Sequence, residues 1–137
     1  MRNVAVIVLA LAALILLTAM GGLGGAPSGT VPQTDEDIRA RLTDRSGTVV
    51  ELTQFSLEGN VFIEGALGSG KVSVFFREIK SLQLSEAGPN DLTALLQLNS
   101  GESLRLTLRK RALFYGATPY GAYHIVARDV ERIDFLK

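Results

Sequence analysis

The chain contains the same unit twice. Set against itself at an offset of 54, the sequence pairs Asp37 with Asp91, Ala40 with Ala94, Ser46 with Ser100, Gly47 with Gly101, Leu52 with Leu106 and Thr53 with Thr107. Apolar positions agree as well: Ile38 meets Leu92, Leu42 meets Leu96 and Val50 meets Leu104. Past a three-residue deletion the offset becomes 51, which pairs Gly65 with Gly116, Ala66 with Ala117, Gly70 with Gly121 and Arg77 with Arg128. Glu78, Ile79, Leu82 and Leu84 then meet Asp129, Val130, Ile133 and Phe135. Agreement at glycines and at the apolar phase is what a shared backbone geometry demands. Two copies fall short of a solenoid, so the repeat predicts a single domain with pseudo-two-fold symmetry, with tandem small barrels as the alternative.

Within each copy the apolar residues alternate with period two, as in Ile38, Ala40, Leu42 and in Leu104, Leu106, Leu108, the pattern of half-buried strands. Asp44 to Gly47 and Asn99 to Gly101 read as hairpin connections, and the glycines at 65 and 70, and at 116 and 121, as brackets around a second tight connection. Val72 to Phe76 and Tyr123 to Ala127 follow, then a brief acidic turn, then Lys80 to Leu84 and Arg132 to Leu136. The expectation is an all-β body of about ten short strands, two tandem five-strand pseudo-repeats forming one small barrel or sandwich.

A hydrophobic helix is expected ahead of that body. Met1 to Asn3 carry one positive charge and Val4 to Met20 are apolar apart from Thr18, an n-region followed by an h-region. The run also reaches the roughly 17-residue lower bound for spanning a bilayer. Residues 1–21 are therefore read as a signal peptide cut before Gly22, or as an uncleaved signal anchor; either sends the body out of the cytoplasm. Residues 22–36 form a Gly/Pro linker, closed by Asp35, Glu36 and Asp37. The duplicated domain occupies residues 37–137, copy one at 37–85 and copy two at 91–137.

Formal charge is zero over all 137 residues, so no net field draws the chain to nucleic acid. Cysteine is absent, which excludes a disulfide framework, a thiolate metal site, a catalytic thiol and a lipidated cysteine.

The second copy, through Leu113, Gly116, Thr118, Tyr120, Gly121, Ile125, Asp129, Val130, Ile133 and Phe135, resembles a pattern found in uncharacterised exported bacterial β-domains. That resemblance implies no activity. Five short strands per copy, with a glycine turn after the first, are similar in topology to Sm-like and SH3-like small barrels; no functional residue follows from that.

Several motifs invite chemistry and fail their context. Gly65 to Lys71 spells GxxxxGK, but Val72 stands where a magnesium-ligating hydroxyl belongs and the segment that follows is β-patterned rather than helical. Asp44 to Gly47 resembles the Asp-Thr/Ser-Gly of two-fold aspartic proteases, yet Arg45 interrupts it and Leu98 stands at the repeat-related position. His124 is the only histidine and alternates with Tyr123 and Ile125, a solvent-facing or cross-strand residue rather than a base. Arg77 with Glu78, and Arg128 with Asp129, read as acidic turns that order the final strand of each copy.

What remains is a surface. Arg105, Arg109, Lys110 and Arg111 form the one basic cluster, and Tyr115, Tyr120 and Tyr123 follow it closely, with Phe114 among them. The expectation is a non-enzymatic cell-envelope domain, periplasmic or anchored in the inner membrane, that binds or scaffolds a protein partner, with no cofactor, no metal and no nucleic acid. Two alternatives are a glycan or small-ligand binder through the aromatic and basic side chains, and a hydrolase using carboxylates such as Asp129 or Glu78.

Overall fold

The computed structural model describes residues 29–137. The leader and the first part of the linker, and with them the expected N-terminal helix, lie outside the described residues. Among the described residues no helix is long and apolar enough to cross a membrane.

Ten strands follow one another as β1 (Arg39–Asp44), β2 (Val49–Leu57), β3 (Phe62–Leu67), β4 (Gly70–Phe75), β5 (Ile79–Glu86), β6 (Asp91–Leu98), β7 (Ser103–Arg109), β8 (Leu113–Thr118), β9 (Gly121–Val126) and β10 (Val130–Leu136). Single 3-10 turns at Phe76–Glu78 and Ala127–Asp129 precede β5 and β10. All ten join in one antiparallel sheet, in the order β4-β3-β7-β6-β5-β10-β1-β2-β8-β9, curled into a half-barrel. The body is thus all-β, as the alternation implies. The sheet stays open, however, because β4 and β9 end it and do not pair with each other.

Exchanging β1–β5 for β6–β10 reverses that order onto itself, so a pseudo-two-fold axis passes between β5 and β10. Details obey it. Gly47 and Gly101 turn the first hairpin of each copy at φ 90° and 93°. The Arg45 amide donates to the Asp129 carbonyl and the Asn99 amide to the Glu78 carbonyl, both at 2.9 Å. The Arg45 Nε and Asn99 Nδ2 then reach the carbonyls of Arg128 and Arg77 at 2.7 and 2.8 Å. Each copy's first turn is therefore tied to the other copy's 3-10 turn.

The copies do not form separate barrels, and neither contains a continuous sheet. β1 with β2 and β3 with β4 are hairpins within copy one, but β3 pairs onward with β7, and β5 sits between β6 and β10. Period-two patterning tells a strand which face to bury and not which neighbour to take, so the alternation did not record the interleaving.

The core lies on the inner face of the curl: Leu42, Leu52, Ile63, Leu82, Leu92, Leu96, Leu106 and Ile133 are fully buried. Phe55 is at the centre of an aromatic group, stacked on Phe114 with centroids 5.4 Å apart and in contact with Phe76 and Phe135 at 5.3 and 5.7 Å. Gly65 and Gly116 lie within β3 and β8, not at the ends of a turn; the tips are at residues 68–69 and 119–120. A methyl group on Gly65 would lie 2.8 Å from the Leu106 Cβ, and one on Gly116 2.8 Å from the Leu52 Cβ. The glycines recur because two inter-copy seams close over them, not because the chain turns there.

Candidate functional site

Where the copies differ, the shared fold does not dictate the residue. The largest difference is the three residues that copy one has and copy two lacks. They fall between Thr53 and Val61, a stretch that includes the end of β2, where the pairing with β8 slips between Thr53 and Ser56 and Gln54 takes a φ of 49°. The bulge swings Phe55 into the core, and the Asp37 carboxylate accepts the freed Gln54 amide at 2.7 Å. Beyond the bulge the seam with β8 resumes through Ser56↔Tyr115 and Leu57↔Phe114.

The related seam in the other half has no bulge. Its anchor pair Thr107↔Ala66 repeats Thr53↔Ala117, and there the ladder stops. β7 ends at Arg109, β3 continues against β4 alone, and a groove of about 660 Å³ opens between them, floored by Leu57, Phe62, Gly65, Leu108 and Ala112. Asp91, the repeat partner of Asp37, has no bulge to cap and lines this groove across from Arg109.

A second cleft, of about 590 Å³, shares Glu58, Asp91, Arg109 and Ala112 with the first and continues to Lys110, Arg111 and Arg128. Arg109, Lys110 and Arg111 of the sequence-derived cluster therefore meet in one place, and the fold adds Arg128, whose amide donates to the Lys110 carbonyl at 3.1 Å. Lys110 pairs with Glu86 at 3.4 Å and Arg128 with Asp129 at 3.8 Å. Arg109 and Arg111 make no ion pair among the described residues. Glu58 is held by the Leu113 amide, which donates to its Oε1 at 2.7 Å. Arg105 points to the same outer face of β7 as Arg109 but lies four residues back along the strand, opposite Leu95.

The tyrosines do not join that cluster as a single surface. Tyr115 pairs with His124 on the outer face of the β8–β9 hairpin, ring centroids 6.3 Å apart. Tyr123 pairs with Gly116 on the inner face and packs against the core. Burial raises the Tyr123 phenol above its ordinary value, and the nearby Asp44 carboxylate adds to that. Tyr120 stands at the hairpin tip, 97% exposed. Phe114 is fully buried.

The remaining motifs resolve into turns and strands. Gly65 to Lys71 spans the β3–β4 hairpin, with no helix N-terminus to hold a phosphate. Asp44 caps its own turn: its Oδ1 accepts the Ser46 hydroxyl at 2.6 Å and the amides of Ser46 and Thr48 at 2.9 and 3.0 Å, and the Ser46 hydroxyl is the main cause of a lowered pKa. Glu78 and Asp129 are exposed on the symmetry-related 3-10 turns, each beside its neighbouring arginine.

Sequence reading missed the contribution of Arg128 and the groove itself. A signal existed: at offset 51, Glu58, Gly59 and Asn60 stand where copy two has Arg109, Lys110 and Arg111. The three cations are not needed to form that loop.

The open edges complete the surface. β9 reads GAYHIV, with no charged residue and no proline, and β4 carries only Lys71. On the outer face of the β3–β4 hairpin, Phe62 and Phe75 meet edge to face at 6.0 Å, with the Arg77 guanidinium 4.6 Å over the Phe75 ring.

No curated protein and no solved structure matches the chain. A family model described as "Uncharacterised protein" matches residues 34–137, and the chain belongs to that family.

Proposed function

We propose that this is a non-enzymatic, exported cell-envelope domain that binds a protein partner by adding the partner's extended segment to its sheet. One observation carries the reading: β9 is an unpaired edge without the charges, proline or bulge by which sheets ordinarily discourage pairing. An edge of that kind offers a row of main-chain donors and acceptors to an incoming strand. The apolar leader, Val4 to Met20, supports placement outside the cytoplasm, released or anchored at the membrane. A photo-crosslinking residue at His124, on β9, should trap a defined envelope protein in cells, whereas one at Lys80, on the central strand β5, should not. Identical adducts from both positions, or none from His124, would end this reading.

The exposure of Tyr120 favours a second reading, in which its ring stacks on a sugar. Glycan-array binding abolished by Tyr120→Ala would support it, and an array unchanged by that substitution would reject it.

A further inference from the structure

We infer that the open seam between β3 and β7 is a second docking site, a groove that takes an extended, acidic peptide segment. The inference rests on the protein-binding reading but places the contact away from the β9 edge. The ladder on this side of β3 is unmatched. From Phe62 to Glu64, β3 is paired with β4 on one side only, while its twin β8 is paired on both sides as far as Phe114. The edge facing the groove is thus a stretch of sheet that the fold could close and, in this half, does not. An extended main chain satisfies such an edge; a sugar or a lipid headgroup does not.

The groove also leads to a cluster of cations. Along β3 its lining holds Glu58, Glu64 and Asp91 beside Lys71 and Arg109, and Glu64 accepts the Ser73 hydroxyl at 3.3 Å. Its far end opens among Arg109, Lys110, Arg111 and Arg128, so the acidic side chains of the segment are read at that end. Glu58 is already engaged by the Leu113 amide, and Asp91 faces Arg109 across the β6–β7 pair. Arg111 is exposed and its side chain makes no hydrogen bond or ion pair among the described residues, so no polar contact of the fold accounts for it. Guanidinium groups on a groove rim recognise carboxylates in pairs of hydrogen bonds. The apolar floor of Leu57, Phe62 and Leu108 gives the segment a place for one apolar side chain between its acidic ones.

The test uses the purified full chain and a fluorescein-labelled octapeptide of alternating glutamate and valine, followed by fluorescence anisotropy. Saturable binding is expected, weakened about ten-fold or more by Arg111→Glu combined with Arg128→Glu. It should be lost when glutamate is replaced by lysine in the peptide, and lost when alternate peptide amides are N-methylated. Should the double variant misfold, Arg111→Glu alone serves, and it is expected to weaken binding several-fold. Equal binding of the N-methylated peptide would show that charge alone is read and would overturn the proposal, as would indifference to Arg111→Glu or no binding at millimolar peptide. If Ala122→Lys with His124→Lys abolishes binding while Arg111→Glu does not, the peptide sits on β9: the groove proposal falls and the edge reading survives.

Discussion

Gly65 and Gly116 show how single residues hold the two copies together. Each lets a strand of one copy lie against a leucine of the other, and the approach leaves no room for a side chain. A methyl group on Gly65 would also come within 2.9 Å of the Thr107 carbonyl, which cannot turn aside, whereas on Gly116 its three nearest atoms all belong to the Leu52 side chain. Gly65→Ala and Gly116→Ala should each destabilise the fold by about 1–3 kcal/mol in urea unfolding, the range for overpacking, with Gly65→Ala the costlier. Asp44 acts at the same scale through its turn. Its carboxyl is held below the ordinary 3.8 chiefly by the Ser46 hydroxyl, so its contribution is present above that value and is lost as pH falls through the lowered one. The Tm difference between the native chain and Asp44→Asn should therefore be level near neutrality and shrink below about pH 4. Tyr123 has the opposite sign: its raised pKa favours the folded state until the unfolded phenol ionises, so stability should decline as pH climbs past about 10, and less so in Tyr123→Phe.

At the scale of elements, the β2 bulge separates a closed seam from an open one. It carries Phe55 to the centre of the aromatic group, and Phe55→Ala should cost about 3–5 kcal/mol, as large core truncations do. It also buries the Ser56 hydroxyl without a hydrogen-bond partner among the described residues. Ser56→Ala keeps the Cβ and removes the unpaired group, so that variant should unfold about 1 kcal/mol later in the same urea titration. A loss of stability there would mean that the hydroxyl is satisfied in solution. The strands were legible because alternation records which face is buried, and the turns at Gly47 and Gly101 because a positive φ selects glycine. The offset change from 54 to 51 was legible too, but a gap in an alignment does not say that one seam zips and its twin parts. Arg128 was hidden for the same reason, since its approach to Lys110 depends on a pairing 18 residues distant in the chain.

For the molecule as a whole, the interleaving decides what can fold. Of the nine seams in the sheet only four join strands of one copy; the other five, including the central β5–β10 pair, cross between copies. A single copy would keep two hairpins and an unpaired fifth strand, and two-stranded hairpins are marginal in water. Residues 29–89 and 90–137 made as separate chains should thus give no cooperative thermal transition alone. Mixed in equal amounts they should recover the β-sheet circular dichroism and a one-to-one complex by sedimentation, because every cross-copy seam is then available. A single half that melted cooperatively as a monomer would contradict the shared core, in which Leu52 closes over Gly116 and Leu106 over Gly65. Duplication on these terms is a way of building one sheet through reciprocal contacts, and it leaves later change free only where reciprocity has lapsed. In this chain those places are the bulge, the parted seam and the basic loop beside it.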